Sequence, residues 1–161
     1  MAMYARDHAL IATPISPIRI EGKDGHLERI TIDAEGPGSR GSAVAVRAAV
    51  EQLEQWFAGE RRVFDIALSP ASTPRGACLR EGLIAVPFGQ TTSYGDLSRA
   101  LGSSARAIGQ LCARNPFPLV VPCHRVLNQG GGLGAYSAGQ GPTTKSWLLA
   151  HERRLTGDYL L

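Results

Sequence analysis

Several features that mark whole classes of protein are scarce or missing in this sequence. Its 161 residues include only three cysteines, two methionines and two tryptophans. No apolar run approaches the roughly 18 residues that a membrane-spanning helix needs. The opening "MAMYARDHAL" has no long apolar core of the kind that a secretion signal carries. These absences predict a cytoplasmic protein that has no membrane partner.

The residues that most often bind structural metals are few and scattered. They are Cys78, Cys112, Cys123, His8, His26, His124 and His151. No two cysteines stand at C-x-x-C spacing, which argues against a zinc ribbon, and their odd number argues against a disulfide framework. We therefore expect no metal and no other cofactor.

The overall composition suits a folded chain. Hydrophobic residues make up 43% of the sequence and charged residues 19%, which is enough apolar material to fill a core. The formal net charge of +3 permits a polyanionic partner but does not require one, because many protein surfaces are this basic. The length fits one ordinary domain or two small ones.

The first part of the chain, residues 1–70, predicts an α+β module made of a small antiparallel sheet and a helix. Apolar and charged residues alternate through "PIRIEG" and, after a Lys-Asp-Gly turn, an apolar pattern resumes in "LERITI". From 42 to 60, apolar residues recur at spacings of three and four, which indicates a helix. The stretch "RRVFDIALS" (61–69) alternates again and predicts a further strand.

The second part, residues 71–161, predicts a mainly α domain. Apolar spacing indicates helices over 78–86 and through the final "TTKSWLLAHERRL". Between them, Ser93 and Gly102 begin and end one short helix, and a second covers about 104–113. Two short helices around a tight turn are the pattern of a helix-turn-helix, although ordinary helical cores show it too.

The character of the chain changes in the stretch "PFPLVVPCHR". Its prolines remove backbone donors and exclude an ordinary central strand, so we predict an extended, buried segment that delivers Cys123 to a fixed place. His124 and Arg125 follow where the chain has just entered the interior, and buried polar groups need partners. His151 and Glu152 in the last helix are the candidate partners.

Three interpretations of Cys123 follow from the residues alone. A free cysteine is most often a small core hydrophobe, whereas an imidazole and nearby cations favour a nucleophilic thiolate, as in a Cys–His hydrolase. A metal ligand is the weakest interpretation, because no second ligand stands at suitable spacing. Adjacent residues in an extended chain point in opposite directions, so we expect a water between Cys123 and His124. Nucleophile and structural cysteine are about equally supported at this point.

The residues around Cys123 resemble one family closely. "PCHRV" is similar to the active-site signature of the O6-alkylguanine-DNA alkyltransferases, also called methylated-DNA–protein-cysteine methyltransferases. "VPFGQTTSYGDL", "ARAIG", "GAYSAG" and "KSWLLAHE" resemble further blocks of that family, in the same order. The resemblance covers about 73 to 152, roughly half of the chain, and its combination of blocks is highly specific.

This resemblance implies a DNA repair protein that acts once. Such a protein flips O6-alkylguanine out of the duplex and transfers the alkyl group irreversibly to its own cysteine, here Cys123. Whether this chain also repairs O4-alkylthymine is left open by the resemblance. The implied partner is double-stranded DNA that carries the lesion, and the implied assembly is a monomer.

The resemblance also implies catalytic roles for five residues. Cys123 would attack the alkyl carbon as a thiolate, and His124 would take its proton through a water. Glu152 would orient and polarise the imidazole of His124. Tyr94 would supply a proton or hydrogen bond to guanine N3, and Asn115 would brace the turn before the active-site segment.

A further group of residues would contact DNA or the flipped base. Arg106 would enter the minor groove and fill the space that the nucleotide leaves, while the small residues Ala107 and Gly109 would let its helix approach the backbone. Ser137 and the loop backbone around Tyr136 would contact O6. The carbonyls of Val126 and Cys123 would receive the exocyclic amine.

The chain also departs from the family pattern. Arg75 and Arg80 stand where the family usually has apolar residues, and Cys112 stands where other residue types are expected. Two alternative functions therefore remain. One is a non-catalytic lesion-binding protein of the alkyltransferase-like kind, although those proteins have tryptophan at the position of Cys123. The other is the Cys–His hydrolase, which would turn over without DNA.

Overall fold

The computed structural model describes residues 6–157, and the chain divides into two compact units between Ser69 and Pro70. The first five residues, which belong to the opening stretch considered above, and the last four lie outside the described part. Within residues 6–157, no helix combines the length and the apolar character that crossing a bilayer requires.

The first unit is built on a three-stranded antiparallel sheet. Its strands are β1 (Asp7–Ile11), β2 (Ile18–Gly22) and β3 (Leu27–Ile32), ordered β1-β2-β3, and its helix is α1 (Val44–Phe57). One apolar face of α1 is buried together with one face of the sheet, as period-3.6 and period-2 patterns require. The predicted α+β module of the first part is confirmed.

The strand predicted over 61–69 is wrong. This segment forms only one isolated bridge, between Leu68 and Leu27. The side-chain amide of Gln52 exchanges two hydrogen bonds with the backbone of Asp65, at 2.8 and 2.9 Å. Because a distant side chain takes up the donor and acceptor that a strand partner would use, the segment runs as irregular chain although its sequence alternates.

The first helix of the second unit is α2 (Pro74–Ile84). It begins four residues before Cys78, the start predicted from the apolar spacing. The Thr73 hydroxyl accepts a hydrogen bond from the Gly76 N–H at 2.9 Å, and Pro74 occupies the first helical position. Both features favour a helix start. The capping signal therefore outweighs the apolar spacing that placed the helix at Cys78.

The helix-turn-helix prediction is confirmed. Helices α3 (Tyr94–Ala100) and α4 (Ala105–Ala113) contact each other across a short turn. The Ser93 and Ser104 hydroxyls accept hydrogen bonds from the first turn of each helix, at 3.0 and 3.1 Å. Gly102 has φ of +63° in the turn, a conformation that glycine adopts without steric cost.

Residues 117–122 are buried as predicted, but the prediction that the segment 116–122 is extended is wrong. Leu119 has φ of +77°, and the Val121 N–H donates to the Phe117 carbonyl at 2.9 Å. The chain therefore makes a tight turn, in which the left-handed residue is an apolar side chain only 1% exposed. Tertiary burial of Leu119 holds a conformation that its sequence alone disfavours.

A single turn of 3-10 helix, Cys123–Arg125, follows this segment and leads into strand β5 (Val126–Leu127). Strand β5 pairs in parallel with β4 (Thr92–Ser93), which directly precedes α3. The last helix, α5 (Pro142–Thr156), packs against the 3-10 turn. The cysteine turn is thus held between the start of the helix-turn-helix and the last helix.

Candidate active site

A cavity of about 140 Å³ lies in the second unit. Its lining residues are Tyr94, Gly109, Cys112, Ala113, Cys123, Ala135, Tyr136 and Ser137. They come from α3, α4, the 3-10 turn and the loop before α5. The cavity therefore brings together parts of the chain that are more than forty residues apart, and it includes a cysteine from each of two elements.

Asn115 fixes the sulfur of Cys123. Its side-chain N–H₂ donates to the Cys123 Sγ at 3.3 Å and to the Val121 carbonyl at 2.9 Å. Its Oδ1 accepts from the Phe117 N–H at 2.9 Å. Cys123 is 3% exposed, so its sulfur lies in the cavity wall with an N–H donor aimed at it. Such a donor favours the thiolate over the thiol.

Behind the cysteine, three charged or titratable side chains form one buried cluster. The His124 Nε2 and the Glu152 Oε2 lie 2.7 Å apart, and the Arg125 guanidinium donates to both oxygens of Glu152 at 2.9 to 3.1 Å. Glu152 is 1% exposed. Arg125 also donates to the Val86 carbonyl at 2.8 Å. The Gly89 N–H also donates to the Glu152 Oε1 at 3.0 Å. The side-chain bonds to Glu152 orient His124 and Arg125, the two residues that follow Cys123 in the chain.

The cluster keeps Glu152 ionised and His124 neutral. Burial alone raises the pKa of Glu152, but the bonds from His124 and Arg125 overcome it and hold that pKa at about 2. Burial lowers the pKa of His124, and Glu152 opposes this effect. At neutral pH the imidazole is therefore an unprotonated base whose orientation is set by a carboxylate.

Of the two partners that the sequence offers, Glu152 makes the contacts and His151 does not. His151 is 2% exposed, and its ring stacks on Trp147 with centroids 5.0 Å apart. Its Nδ1 and the Arg154 guanidinium lie 3.0 Å apart. His151 thus packs against other residues of α5.

Two tyrosines and a serine also line the cavity. Burial, followed by the charges of Cys112 and Cys123, raises the pKa of Tyr94 to about 12, so its hydroxyl keeps its proton. Burial also raises the pKa of Tyr136. The Tyr136 hydroxyl is buried and has no hydrogen-bond partner among the described residues. The Ser137 hydroxyl donates to the Cys112 carbonyl at 3.1 Å.

Cys112 is part of the same cavity wall and is 9% exposed. Interaction with the neighbouring thiol of Cys123 lowers the pKa of Cys112, and the same interaction raises the pKa of Cys123. Burial raises both pKa values, and the positive charge of Lys145 lowers both. One thiolate in the pair is favoured and a second is opposed, because two adjacent anions repel each other.

Comparisons with known proteins identify the family. Residues 79–154 match the family model described as 6-O-methylguanine DNA methyltransferase, DNA binding domain. The chain is 34% identical over 140 residues to the methylated-DNA–protein-cysteine methyltransferase of Methanosarcina acetivorans, which covers 82% of this chain and 90% of the relative. The chain belongs to the methylated-DNA–protein-cysteine methyltransferase family.

Two further similarities bear on what this alkyltransferase-family chain does. It is 38% identical over 149 residues to a DNA base-flipping protein of Thermus thermophilus, covering 90% of this chain and 99% of that one. It also resembles the crystal structure of Mycobacterium tuberculosis OGT in complex with DNA, with a TM-score of 0.79 and 32% identity over 92% of this chain and 93% of that one. Both relatives extend over the two units.

The predicted DNA-facing residues of this family member lie on or beside α4. Arg106 is exposed in the first turn of α4, and the Ala107 N–H is bonded to the Ser104 cap. Gly109 lines the cavity, and a Cβ built there meets no atom within 4 Å. Val126, in contrast, is fully buried and does not line the cavity, and its carbonyl accepts from the Lys145 ammonium at 2.7 Å.

The two unexpected arginines of this family member have identifiable contacts. Arg80 lies over the ring of Phe117, 5.4 Å from its centroid, in a cation–π arrangement. Arg75 is exposed and donates to the Gly102 carbonyl at 2.9 Å, in the turn between α3 and α4. Both contacts stay within the second unit.

Lys145, which is fully buried, is not among the site residues predicted from the sequence. Its ammonium donates to the carbonyls of Val126 and Ala135 at 2.7 and 3.2 Å. Burial lowers the pKa of Lys145, while the charges of Cys112 and Cys123 raise it. A signal was present, because Lys145 stands seven residues before Glu152 in the helix and so shares its buried face.

Proposed function

We propose that this chain repairs DNA by transferring the alkyl group of O6-alkylguanine irreversibly to its own Cys123. Membership of the methyltransferase family supports the reaction class, and the cavity supports the assignment of the acceptor. O4-alkylthymine is the second lesion that the same chemistry would serve. The partner is duplex DNA that carries the lesion, and the protein acts as a monomer.

One observation carries the choice of Cys123. Its sulfur faces the cavity and accepts a hydrogen bond from Asn115, while the next residue in the chain, His124, is bonded to the buried Glu152. A cysteine kept only for packing needs neither an N–H donor nor a neutral, oriented base beside it. The combination is that of an activated nucleophile.

The reaction is a single displacement at the alkyl carbon. The Cys123 proton passes through a water to the imidazole of His124, whose Nε2 is bonded to Glu152. The sulfur forms a bond to the alkyl carbon as the bond from that carbon to O6 breaks, and the electron pair goes to the guanine. Tyr94 then donates to N3 of the leaving base. The resulting thioether has no hydrolytic exit, so each molecule acts once.

Recognition of the flipped base falls to the loop before α5. The Tyr136 hydroxyl is buried without a partner among the described residues, and an unsatisfied buried hydroxyl costs about 1–3 kcal/mol. A base in the cavity would supply the missing partner. Ser137 stands next to it at the wall and is the second contact that we assign to O6.

The exposed face of α4 is the proposed DNA contact. Arg106 projects from its first turn, so it can enter the minor groove and hold the space of the flipped nucleotide. Ala107 and Gly109 leave room for the DNA backbone. Flipping is required because the alkyl carbon is inaccessible within the stacked duplex.

The acceptor must be a free thiol, which fits the reducing cytoplasm.

The decisive experiment is an intact-mass measurement after incubation with a duplex that contains O6-methylguanine. We expect each molecule to gain one methylene unit, located on Cys123 by peptide mapping. The Cys123→Ala variant should gain nothing, and the matched Cys78→Ala variant should behave like the wild type, because Cys78 is exposed and outside the cavity. Methylation of another residue, or none at all, would contradict the proposal.

A second candidate is a non-catalytic lesion-binding protein. The similarity to the Thermus thermophilus base-flipping protein favours it. The same experiment separates the two functions, because lesion-specific binding without a change in mass supports the second candidate. Repeated hydrolysis of an ester or amide, without lesion binding, would instead support the Cys–His hydrolase.

A further inference from the structure

The proposed reaction uses one thiol of the cavity and leaves the other, Cys112, without a role. Cys112 is near the C-terminal end of α4, and Cys123 begins the 3-10 turn. Both line the same cavity. Two buried thiols that share one small, open space are more than a packing feature, since each is a nucleophile toward the oxidised form of the other.

Asn115 shows how closely the two cysteines are held. Its backbone N–H donates to the Cys112 carbonyl at 3.3 Å, and its side chain donates to the Cys123 sulfur at 3.3 Å. One residue therefore bonds to both cysteines. The Ser137 hydroxyl also bonds the Cys112 carbonyl. Both cysteines are thus fixed in the wall of one small cavity before any reaction occurs.

Cys78 provides an internal contrast. It is the third cysteine of the chain, lies on α2 and is exposed. It is absent from the cavity wall, so it does not share that space with Cys112 and Cys123. Any oxidation chemistry that depends on the pair should leave Cys78 out.

We propose that Cys112 and Cys123 form a redox-active dithiol, which a small hydroperoxide converts into a reversible intramolecular disulfide. The cavity admits an oxidant the size of hydrogen peroxide, because its volume of about 140 Å³ holds several waters at ~30 Å³ each. The disulfide occupies the sulfur that accepts the alkyl group. That consequence for repair rests on the proposed function, whereas the disulfide itself does not.

The oxidation balances in two steps. In the first, the thiolate of one cysteine attacks a peroxide oxygen, the O–O bond breaks, and a sulfenic acid and hydroxide result. In the second, the other thiolate attacks the sulfenic sulfur, an S–S bond forms, and a second hydroxide leaves. Each hydroxide takes up one of the two thiol protons, so two thiols and one peroxide give one disulfide and two waters.

The adjacent thiol also determines where oxidation stops. A sulfenic acid without a neighbouring thiol proceeds to sulfinic acid, which is irreversible in most proteins. With Cys112 beside it, the sulfenic acid of Cys123 condenses first, and a dithiol reductant restores both thiols. The pair would therefore protect an acceptor that the protein can use only once.

Peptide mapping tests the disulfide directly. The full-length protein is treated with hydrogen peroxide, its remaining thiols are blocked, and it is digested with trypsin without reductant. Arg114 separates the two cysteines, so the disulfide joins peptide 107–114 to peptide 115–125, and Cys78 stays in the separate peptide 76–80. We expect the joined pair, lighter by two hydrogens, with the 76–80 peptide unlinked.

Variants and recovery of activity complete the test. Wild type and Cys78→Ser should lose methyl transfer on oxidation and regain it with dithiothreitol. Oxidised Cys112→Ser should not regain it, because its Cys123 proceeds to sulfinic acid, which the peptide mass reveals. Cys123 sulfinic acid in the wild type, a disulfide that includes Cys78, or no disulfide at peroxide levels that oxidise Cys78 would each overturn the proposal.

The two proposals fail in different ways. A missing disulfide in a protein that still accepts a methyl group overturns only the dithiol. A disulfide in a protein that never gains a methyl group overturns only the proposed function, because the peptide map requires no DNA.

Discussion

The two units fill their interiors with different kinds of side chain. In the first unit, the buried side chains of the described residues are apolar, from Ala9 to Trp56. In the second, seven polar or charged side chains are buried together with the apolar ones. They are Ser98, His124, Arg125, Thr144, Lys145, His151 and Glu152. Four of these seven belong to one bonded region: His124 and Arg125 bond to Glu152, and Lys145 bonds to the Val126 carbonyl in β5.

This difference distinguishes a core kept for stability from one kept for chemistry. Burying apolar surface stabilises a fold in proportion to area, and the first unit does little else. A buried ion pair is weak support for stability, because desolvation offsets most of its attraction. The polar interior of the second unit is therefore better explained by the nucleophile that it surrounds.

The largest expected effect comes from breaking the polar interior at its centre. Glu152→Gln leaves Arg125 buried without a charged partner, which costs about 3–5 kcal/mol, and it also removes the group that orients His124. We expect urea unfolding to show this loss and intact mass to show little methyl transfer. Leu53→Ala in the first unit is the control, with a comparable cost of about 2–5 kcal/mol for a fully buried leucine.

If the polar interior of the second unit serves the reaction and the apolar core of the first unit serves only stability, these two variants should differ in methyl-transfer activity. Leu53→Ala should transfer the methyl group at the wild-type rate per folded molecule, since it changes only an apolar core. If Glu152→Gln keeps both its stability and its rate, the buried cluster is not the functional centre.

The next effect is a loss of stability at acid pH. The pKa of Glu152 is about 2 in the folded protein against an ordinary 4.5, so the unfolded state binds a proton first as the pH falls. At ~1.36 kcal/mol per pH unit, stability present above pH ~4.5 falls by about 3 kcal/mol as the pH approaches 2. The lowered pKa of His124 has the same sign and begins to act below pH ~6.5.

Unfolding in urea at pH 7, 5 and 3 measures this dependence. Glu152→Gln removes the titration of Glu152, so its stability should change less between pH 5 and 3 than that of the wild type. Equal slopes for the two proteins would show that other groups dominate acid unfolding.

How far the fold follows from the sequence depends on whether the deciding contacts are local. The bounds of helix α4 were predicted to within one residue, because the signals for its start and its end, including the serine cap, are local in the sequence. The turn at Leu119 was not, because burial holds a left-handed residue that no local signal marks. The strand over 61–69 failed for the same reason, since the Gln52 amide that replaces its pairing comes from another element.

The candidate site follows the same rule. The need of His124 and Arg125 for an acid pointed to Glu152, which the structure brings to both. Lys145 was not predicted, because lysine side chains are usually exposed to solvent. Its position on the buried face of α5 was therefore not interpreted as burial. That Cys112 and Cys123 line one cavity depends on how α4 meets the 3-10 turn, which spacing alone does not give.

A smaller effect tests the electrostatic part of the polar interior. Lys145→Met removes the buried ammonium and leaves the Val126 and Ala135 carbonyls without this donor, at a cost of about 1–3 kcal/mol. Since the charge of Lys145 lowers the pKa of Cys123, its loss should raise that pKa and slow alkylation by iodoacetamide at neutral pH. Lys23→Met, from a partly exposed pair in the first unit, is the control. An unchanged pH profile would limit Lys145 to packing.

The smallest effect on stability separates exposed polar residues from buried ones within the second unit. Arg106 is exposed on α4, so Arg106→Ala should change the free energy of unfolding by no more than about 0.5 kcal/mol. Repair of an O6-methylguanine duplex should nevertheless slow, with a weaker salt dependence of binding because one cation is lost. Reaction with free O6-benzylguanine should stay near the wild-type rate, because no nucleotide has to be flipped.

Arg29→Ala, which removes the same charge from β3, should leave both reactions unchanged. If Arg106→Ala slows both reactions equally, Arg106 supports the cavity itself, and the division between a buried catalytic interior and an exposed DNA-binding face does not hold.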